Sequence, residues 1–280
     1  MGTFDSFQLK GRVVALTGSA GFFGGYFARA LLEAGAAVVI LIDKKENDLN
    51  EQAQQLRQEF GEDRIRHYQI DLYDREKAGH LFQTLADDRG GVDILVNCAF
   101  DFSPRTGFNV AQGWLKDSSL EQFMLCLESG VGWSFLTTQI LGLGMKKKGG
   151  GSIINICSMY GIRVPMKGLY DETDKINPPG YPPAKAALLH FTSWSAKELA
   201  PEVRVNAISP GIFSNFELAG ANAYDPNNPV LQRLMGSGKV LLGRFGHPRD
   251  LIGALLFLAS DASSYVTGAN IVIDGGFTIT

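Results

Sequence analysis

The chain has 280 residues, 45% of them hydrophobic, enough to bury a sizeable core as one large domain or at most two. Its formal charge is −3 with the signs scattered, which argues against nucleic acid or an anionic membrane surface as partner. Three cysteines, Cys98, Cys126 and Cys157, are too few and too unpatterned for a disulfide framework or a metal site, so no metal and a reducing compartment are expected. The N-terminus MGTFDSFQLKGR lacks the apolar core of a signal peptide, and no later apolar run is long enough to span a bilayer, which predicts a soluble cytoplasmic protein.

In chain order, the first apolar run is VVALTG (13–18), and TGSAGFFGG (17–25) then opens a helix. Glycines 18, 21 and 24 permit a tight turn, let backbone N–H groups approach a pyrophosphate, and let the helix start close to the sheet with its N-terminus toward the anion. The run AVVILID (37–43) ends in Asp43, placed to accept hydrogen bonds from an adenosine ribose and to repel a 2′-phosphate. This favours NAD over NADP, a preference tempered by Lys44, whose charge is compatible with a phosphate. IRHYQIDL (65–72) brings Asp71 either to the adenine or to the N-cap of the next helix. DILVNCA (93–99) follows, then a helix over 118–145 whose Phe123, Leu127, Val131, Phe135 and Leu136 are spaced for a packing face, in the core or between subunits. Lys146 to Lys148, before Gly149 to Gly151, read as a solvated loop. The remaining runs are SIINICS (152–158), VRVNAISP (203–210) and ANIVIDGG (269–276). Seven runs, apolar almost throughout and separated by helices, predict a Rossmann-type α/β fold: a doubly wound parallel sheet in a single domain, 1–280. Segments 162–180 and 212–242 lack periodicity and are the expected substrate loops.

NPPGYPPAKAALLHFTSWSAKELA (177–200) holds the expected chemistry. Tyr181 and Lys185, four residues apart, share a helix face. A tyrosine with an ordinary pKa of about 10 is a poor base at neutral pH, and a neighbouring ammonium stabilises its phenolate. Pro182 and Pro183 fall in the first helical turn, where N–H groups are unbonded anyway, and each biases its predecessor away from helical angles, so Tyr181 sits at the helix boundary.

These pieces resemble the short-chain dehydrogenase/reductase family, compact single-domain branch, over nearly the whole chain: TGSAGFFG, Asp43, the DL at 71–72, LVNCA at 95–99, NICS at 155–158, YPPAK at 181–185, VRVNAISPG at 203–211 and the long block from 243 to 276. The resemblance implies that Ser158 orients the reacting oxygen, Tyr181 is the acid/base, and Lys185 lowers the tyrosine pKa and holds the nicotinamide ribose. It implies a dinucleotide site formed by Gly18, Ser19, Gly21, Phe23, Gly24, Asp43, Asp71, Leu72, Asn97, Ala99, Tyr181, Lys185, Pro210, Gly211 and Ile212. It also implies a homodimer or homotetramer. The segment SMYG with NPPGYPPAK is similar to oxidoreductases of surface-sugar and flagellin-glycan biosynthesis, which implies a sugar-like secondary alcohol as substrate. Ser158, Tyr160, Tyr170 and Asn215 would contact it, with Arg163, Lys167, Asp171 and Glu172 near the mouth.

Three departures from the family pattern stand out. The glycine spacing is that of sugar-nucleotide epimerases and dehydratases, which use NAD transiently and are the alternative reading. Asn97-Cys98-Ala99-Phe100 replaces Asn-Asn-Ala-Gly, so Phe100 is expected to narrow the floor of the site. Gly130 stands where a catalytic asparagine is expected, so water, backbone carbonyls or Ser129 would have to replace it. The last two departures also motivate a non-catalytic dinucleotide-binding protein as a third reading.

Overall fold

The computed structural model describes residues 2–88, 90–169, 177–213 and 229–280. Seven parallel strands form one sheet: β1 (Val13–Thr17), β2 (Val38–Asp43), β3 (Ile65–Gln69), β4 (Ile94–Asn97), β5 (Gly151–Ile156), β6 (Val203–Pro210) and β7 (Asn270–Ile273), in the order β3-β2-β1-β4-β5-β6-β7. The predicted fold is the observed one. The strands are one to three residues shorter at their C-terminal ends than most of the apolar runs, because residues such as Gly18 and Ser158 turn out of the ladder toward the site.

Helices cover both faces. On one side α1 (Phe22–Glu33) and α2 (Glu46–Phe60) bury Phe27, Leu31 and Leu49 against β1 and β2, and α9 (Ile252–Ala259) buries Leu255 and Leu258 against β5 and β6. On the other, α3 (Arg75–Asp87) and α7 (Tyr181–Leu199) flank the long helical rod from 120 to 148, burying Phe82, Leu85, Trp133, Leu141 and Met145. Each fully buried Leu or Phe stabilises the fold by about 1.5–3 kcal/mol. α8 (Pro229–Gly236) lies near the C-terminal ends of the strands, where Leu234 joins a third apolar cluster around Tyr181.

The rod departs from a plain helix. It runs as α4 (Leu120–Leu127), α5 (Trp133–Thr137) and α6 (Leu143–Lys148), joined by π turns at Glu128–Gly132 and Thr138–Gly142. Beside Trp133, Leu141 and Met145, its buried side carries small and polar residues, among them Ser129, Gly130, Ser134 and Thr138, while Phe135 is exposed and Phe123, Leu127 and Val131 are half-buried. Of the apolar residues whose spacing stood out in the sequence, Val131 and Leu136 pack against core clusters while Phe135 faces outward. Lys146 to Lys148 are not a solvated loop: they form the last turn of α6, where Lys146 donates to Glu198 O at 2.8 Å and Lys148 pairs with Asp93. Among the described residues no helix is long and apolar enough to cross a membrane.

Candidate active site

The strand order reverses between β1 and β4, and ligands of open parallel sheets bind outside the carboxyl ends at such a switch. Thr17 Oγ1 accepts from the backbone N–H of Cys98 (3.2 Å) and Ala99 (3.3 Å), which pins the two strand ends together. Gly18 follows with φ +69°, and a Cβ there would lie 2.8 Å from Ala99 Cα. A Cβ on Gly24 would lie 2.2 Å from Gly18 O, so the helix can start this close to the loop only with glycine. The N-cap of α1 is Gly21 and no side chain caps it, leaving first-turn N–H groups for an anion. Ser19 Oγ is buried without a partner among the described residues, as a hydroxyl that serves a ligand oxygen would be. The loop therefore fits a dinucleotide pyrophosphate.

Asp43 sits against this loop, its carboxylate accepting from Ala20 N and Lys45 N, both at 3.0 Å. Asp71 Oδ1 accepts from Tyr73 N in a tight turn, while the N-cap of α3 is Asp74, so the capping alternative for Asp71 is wrong. Two of the residues expected at the cofactor have their side chains engaged within the protein. The Asn97 amide donates to Asn155 Oδ1 and accepts from Thr137 Oγ1, and Asn155 donates on to Thr192 Oγ1, so a buried polar chain runs from α5 through β4 and β5 to α7. Only the backbone of Asn97 is left to face a dinucleotide. The Phe23 ring is likewise taken up by Phe213 and Phe27, with centroids 5.3 and 5.9 Å away. Leu72 is buried, and Gly211 and Ile212 follow β6 beside β7, where Gly211 passes so close to Asp274 that a Cβ would lie 2.5 Å from its Cα.

At the other end, Ser158 follows β5 and its Oγ accepts from Tyr160 N at 3.1 Å, capping a short 3₁₀ turn. Gly161 ends that turn directly on the backbone of Lys185, where a Cβ would approach to 2.9 Å, which draws the serine segment onto α7. α7 begins at Tyr181 with the prolines in its first turn. The Tyr181 ring is buried in an aromatic cage, with centroids of Phe100, Phe108, Phe102 and Tyr160 at 5.0, 5.3, 6.0 and 6.5 Å. Lys185 is buried one turn below and donates to Ile156 O at 3.0 Å. Among the described residues no carboxylate pairs with it. Burial pushes its pKa down, against an opposing pull from the Cys157 and Cys98 thiols. Those thiols are in turn pushed up to about 12 by burial, so neither is a nucleophile.

Phe100 does more than narrow the floor. Its ring lies 5.0 Å from Lys185 Nζ and presents a π face to the ammonium. The same ring lies 3.4 Å from where a Gly130 Cβ would be, and Ala184 Cβ lies only 2.6 Å from that point. An asparagine at 130 therefore has no room. Ser129 does not reach Lys185 either: its Oγ donates to Leu125 O at 2.8 Å, back into its own helix. Replacing Gly130 by Asn is expected to destabilise the fold by about 1–3 kcal/mol through overpacking rather than to raise activity. Thermal melting beside an activity assay checks this, and a stable, faster variant would refute it.

On the substrate side, Tyr160 lies beside Tyr181 as expected, whereas Tyr170, Asp171, Glu172 and Asn215 lie outside the described residues. Arg163 donates through Nε to Thr278 O, and Lys167 is exposed. A cleft lined by Arg163, Met166, Lys239 and Phe277 shares Met166 and Phe277 with the apolar cluster around Tyr181. The sequence reading missed the aromatic wall of Phe102 and Phe108, though FDF at 100–102 was a visible signal. It also missed Asp101, which is buried between Lys44 and Tyr73.

Residues 23–278 match the family profile described as enoyl-(acyl carrier protein) reductase. A probable NADP-dependent mannitol dehydrogenase of Yarrowia lipolytica is 30% identical, with 98% of this chain and 90% of that protein covered. An NAD-dependent glycerol dehydrogenase of Listeria innocua is also 30% identical, with 99% and 98% covered. The crystal structure of a short-chain type dehydrogenase/reductase from Mycobacterium marinum superposes with a TM-score of 0.81 at 30% identity, covering both chains completely. The glycine spacing is thus a variation within the dehydrogenase pattern, and the epimerase alternative gains no support. With a family profile matched over residues 23–278 and relatives and a solved structure similar over the full length of the chain, the chain belongs to the short-chain dehydrogenase/reductase family and is a nicotinamide-dinucleotide-dependent oxidoreductase of CH–OH groups.

Proposed function

We propose that Tyr181 is the acid/base of a hydride transfer between NAD and a secondary alcohol or ketone of a polyol or sugar-like substrate. When bound, the nicotinamide accepts or donates the hydride. Ser158 orients the reacting oxygen by hydrogen bonding. Lys185 stabilises the phenolate of Tyr181 and holds the nicotinamide ribose. The observation that carries this reading is the Lys185 ammonium: buried, without a carboxylate partner among the described residues, one helical turn from a tyrosine whose ring is fixed on several sides. A buried charge left without a counter-ion is costly unless a developing anion uses it.

Asp43 supports NAD as the preferred carrier, since its carboxylate stands beside the pyrophosphate loop and would repel a 2′-phosphate. The mannitol and glycerol substrates named for the two relatives support a polyol. Segments 162–180 and 212–242 are proposed as the substrate loops of the single domain 1–280. The half-buried apolar face of α4 and α5 suits a homodimer or homotetramer in the cytoplasm.

A panel of polyols, sugars, nucleotide sugars and simple secondary alcohols, followed at the NADH absorbance, tests the reading. Turnover with net NADH formation is expected for polyols or sugars. Tight NADH binding with no turnover across the whole panel would instead favour a non-catalytic dinucleotide-binding role.

A further inference from the structure

Two lysines follow Asp43, and a Lys-Lys pair at the end of β2 would ordinarily invite a 2′-phosphate. Both are already paired. Lys45 meets Asp48 at 3.4 Å, with both side chains more than half exposed, a surface pair of little consequence. Lys44 is different. Its ammonium reaches Asp101 Oδ1 at 3.3 Å, and the Asp101 side chain is only 2% exposed.

Asp101 is held on every side. Its Oδ2 accepts from Tyr73 OH at 3.1 Å, its Oδ1 also accepts from Ser103 N at 3.2 Å, and its carbonyl accepts from Thr106 Oγ1 at 2.8 Å. Tyr73 is fixed in turn by the Trp133 ring, 4.8 Å away edge-on, and by the Arg105 guanidinium over its face at 4.5 Å. Burial works to raise the Asp101 pKa, yet the hydrogen bonds from Ser103 and Tyr73 and the Lys44 charge outweigh it and keep the group ionised. The bridge joins the segment after β2 to the segment after β4, and so passes across the carboxyl end of β1, the strand between them.

We propose that Asp101 determines cofactor choice: it holds the Lys44 ammonium away from the 2′ position of the adenosine ribose, so that the cation nearest a 2′-phosphate is already engaged and NAD is preferred. This rests on the reading of Asp43 as the ribose-facing acid and deepens it. Asp43 repels the phosphate, and Asp101 withholds the lysine that would compensate.

The test titrates the full-length protein with NADH and with NADPH, following nicotinamide fluorescence, for wild type, Asp101→Asn, Lys44→Gln and the double variant. Asp101→Asn keeps the shape and the Tyr73 contact but removes the charge that holds Lys44. NADPH should then bind about tenfold tighter, the worth of roughly one charge-assisted contact, with NADH changed less than about twofold. Adding Lys44→Gln should remove that gain, while Lys44→Gln alone should change NADPH binding less than about twofold because the lysine is already engaged. An unchanged NADPH affinity in Asp101→Asn, or a gain that persists in the double variant, overturns the inference. If Asp101→Asn does not fold, Lys44→Gln alone decides: a several-fold loss of NADPH affinity would show the lysine free to serve a phosphate. A wild type that prefers NADPH sinks the NAD reading by itself, and the coupling between residues 44 and 101 still decides the role of Asp101.

Discussion

Tyr181→Phe is expected to lower kcat/KM by about 10²- to 10⁴-fold, the range for losing a positioned general acid/base. The substitution isolates the hydroxyl. The Tyr181 ring is held by Phe100 and Phe108 in near-perpendicular contacts at 5.0 and 5.3 Å, and phenylalanine keeps both. Lys185 keeps its bond to Ile156 O and its place 5.0 Å from the Phe100 ring, so dinucleotide binding should fall no more than a few-fold. pH supplies a second readout. In the oxidation direction the wild-type rate should rise with pH as the tyrosine becomes able to accept a proton, and that rising limb should be absent from the variant. A Tyr181→Phe enzyme within tenfold of wild type, with the same pH profile, would remove Tyr181 from the chemistry.

The parts that could be read from the chain alone are those written in short local patterns. Apolar runs buried on both faces announce parallel strands, and all seven formed, because a strand covered on both sides has no polar face to hide its period. Tyr181 and Lys185 were legible because a helix converts a spacing of four into a shared face, and the prolines fix where that helix starts. What escaped depends on partners far apart in sequence. Lys44 and Asp101 meet across the end of β1, 57 residues apart in the chain, and nothing near either residue signals the other. Gly130 looked like a lost catalytic residue. In three dimensions it is the point where α7 crosses the rod so closely that Ala184 and Phe100 leave no room for a side chain. The apolar stripe of α4 and α5 was visible but its direction was not, since periodicity marks a face without saying what covers it. Tyr170 and Asn215, in the stretches read as choosing the substrate, lie outside the described residues.

Gly24→Ala should destabilise the protein by about 3 kcal/mol or more and abolish NADH binding, whereas Gly25→Ala, one residue on, should stabilise it by about 0.5–1 kcal/mol. The two glycines differ only in what their missing Cβ would meet. At Gly24 it would lie 2.2 Å from Gly18 O, 2.5 Å from Ser19 O and 2.6 Å from Ser19 Cα. All three are backbone atoms of the turn that presents N–H groups to the pyrophosphate, so no rotamer change relieves the clash. The loop has to move, and Thr17 and Ala99 hold its other end. At Gly25 the nearest atom is the flexible end of Gln52 at 3.6 Å, an ordinary contact. Glycine there only adds conformational freedom to the unfolded chain, which alanine removes. Melting curves separate the two, since each kcal/mol corresponds to roughly 2–4 °C in a domain somewhat smaller than this one, so Gly25→Ala should melt a few degrees higher and Gly24→Ala far lower. Equal melting temperatures would mean that the helix does not start as close to the loop as these distances require, and the cradle for the pyrophosphate would lose its physical basis.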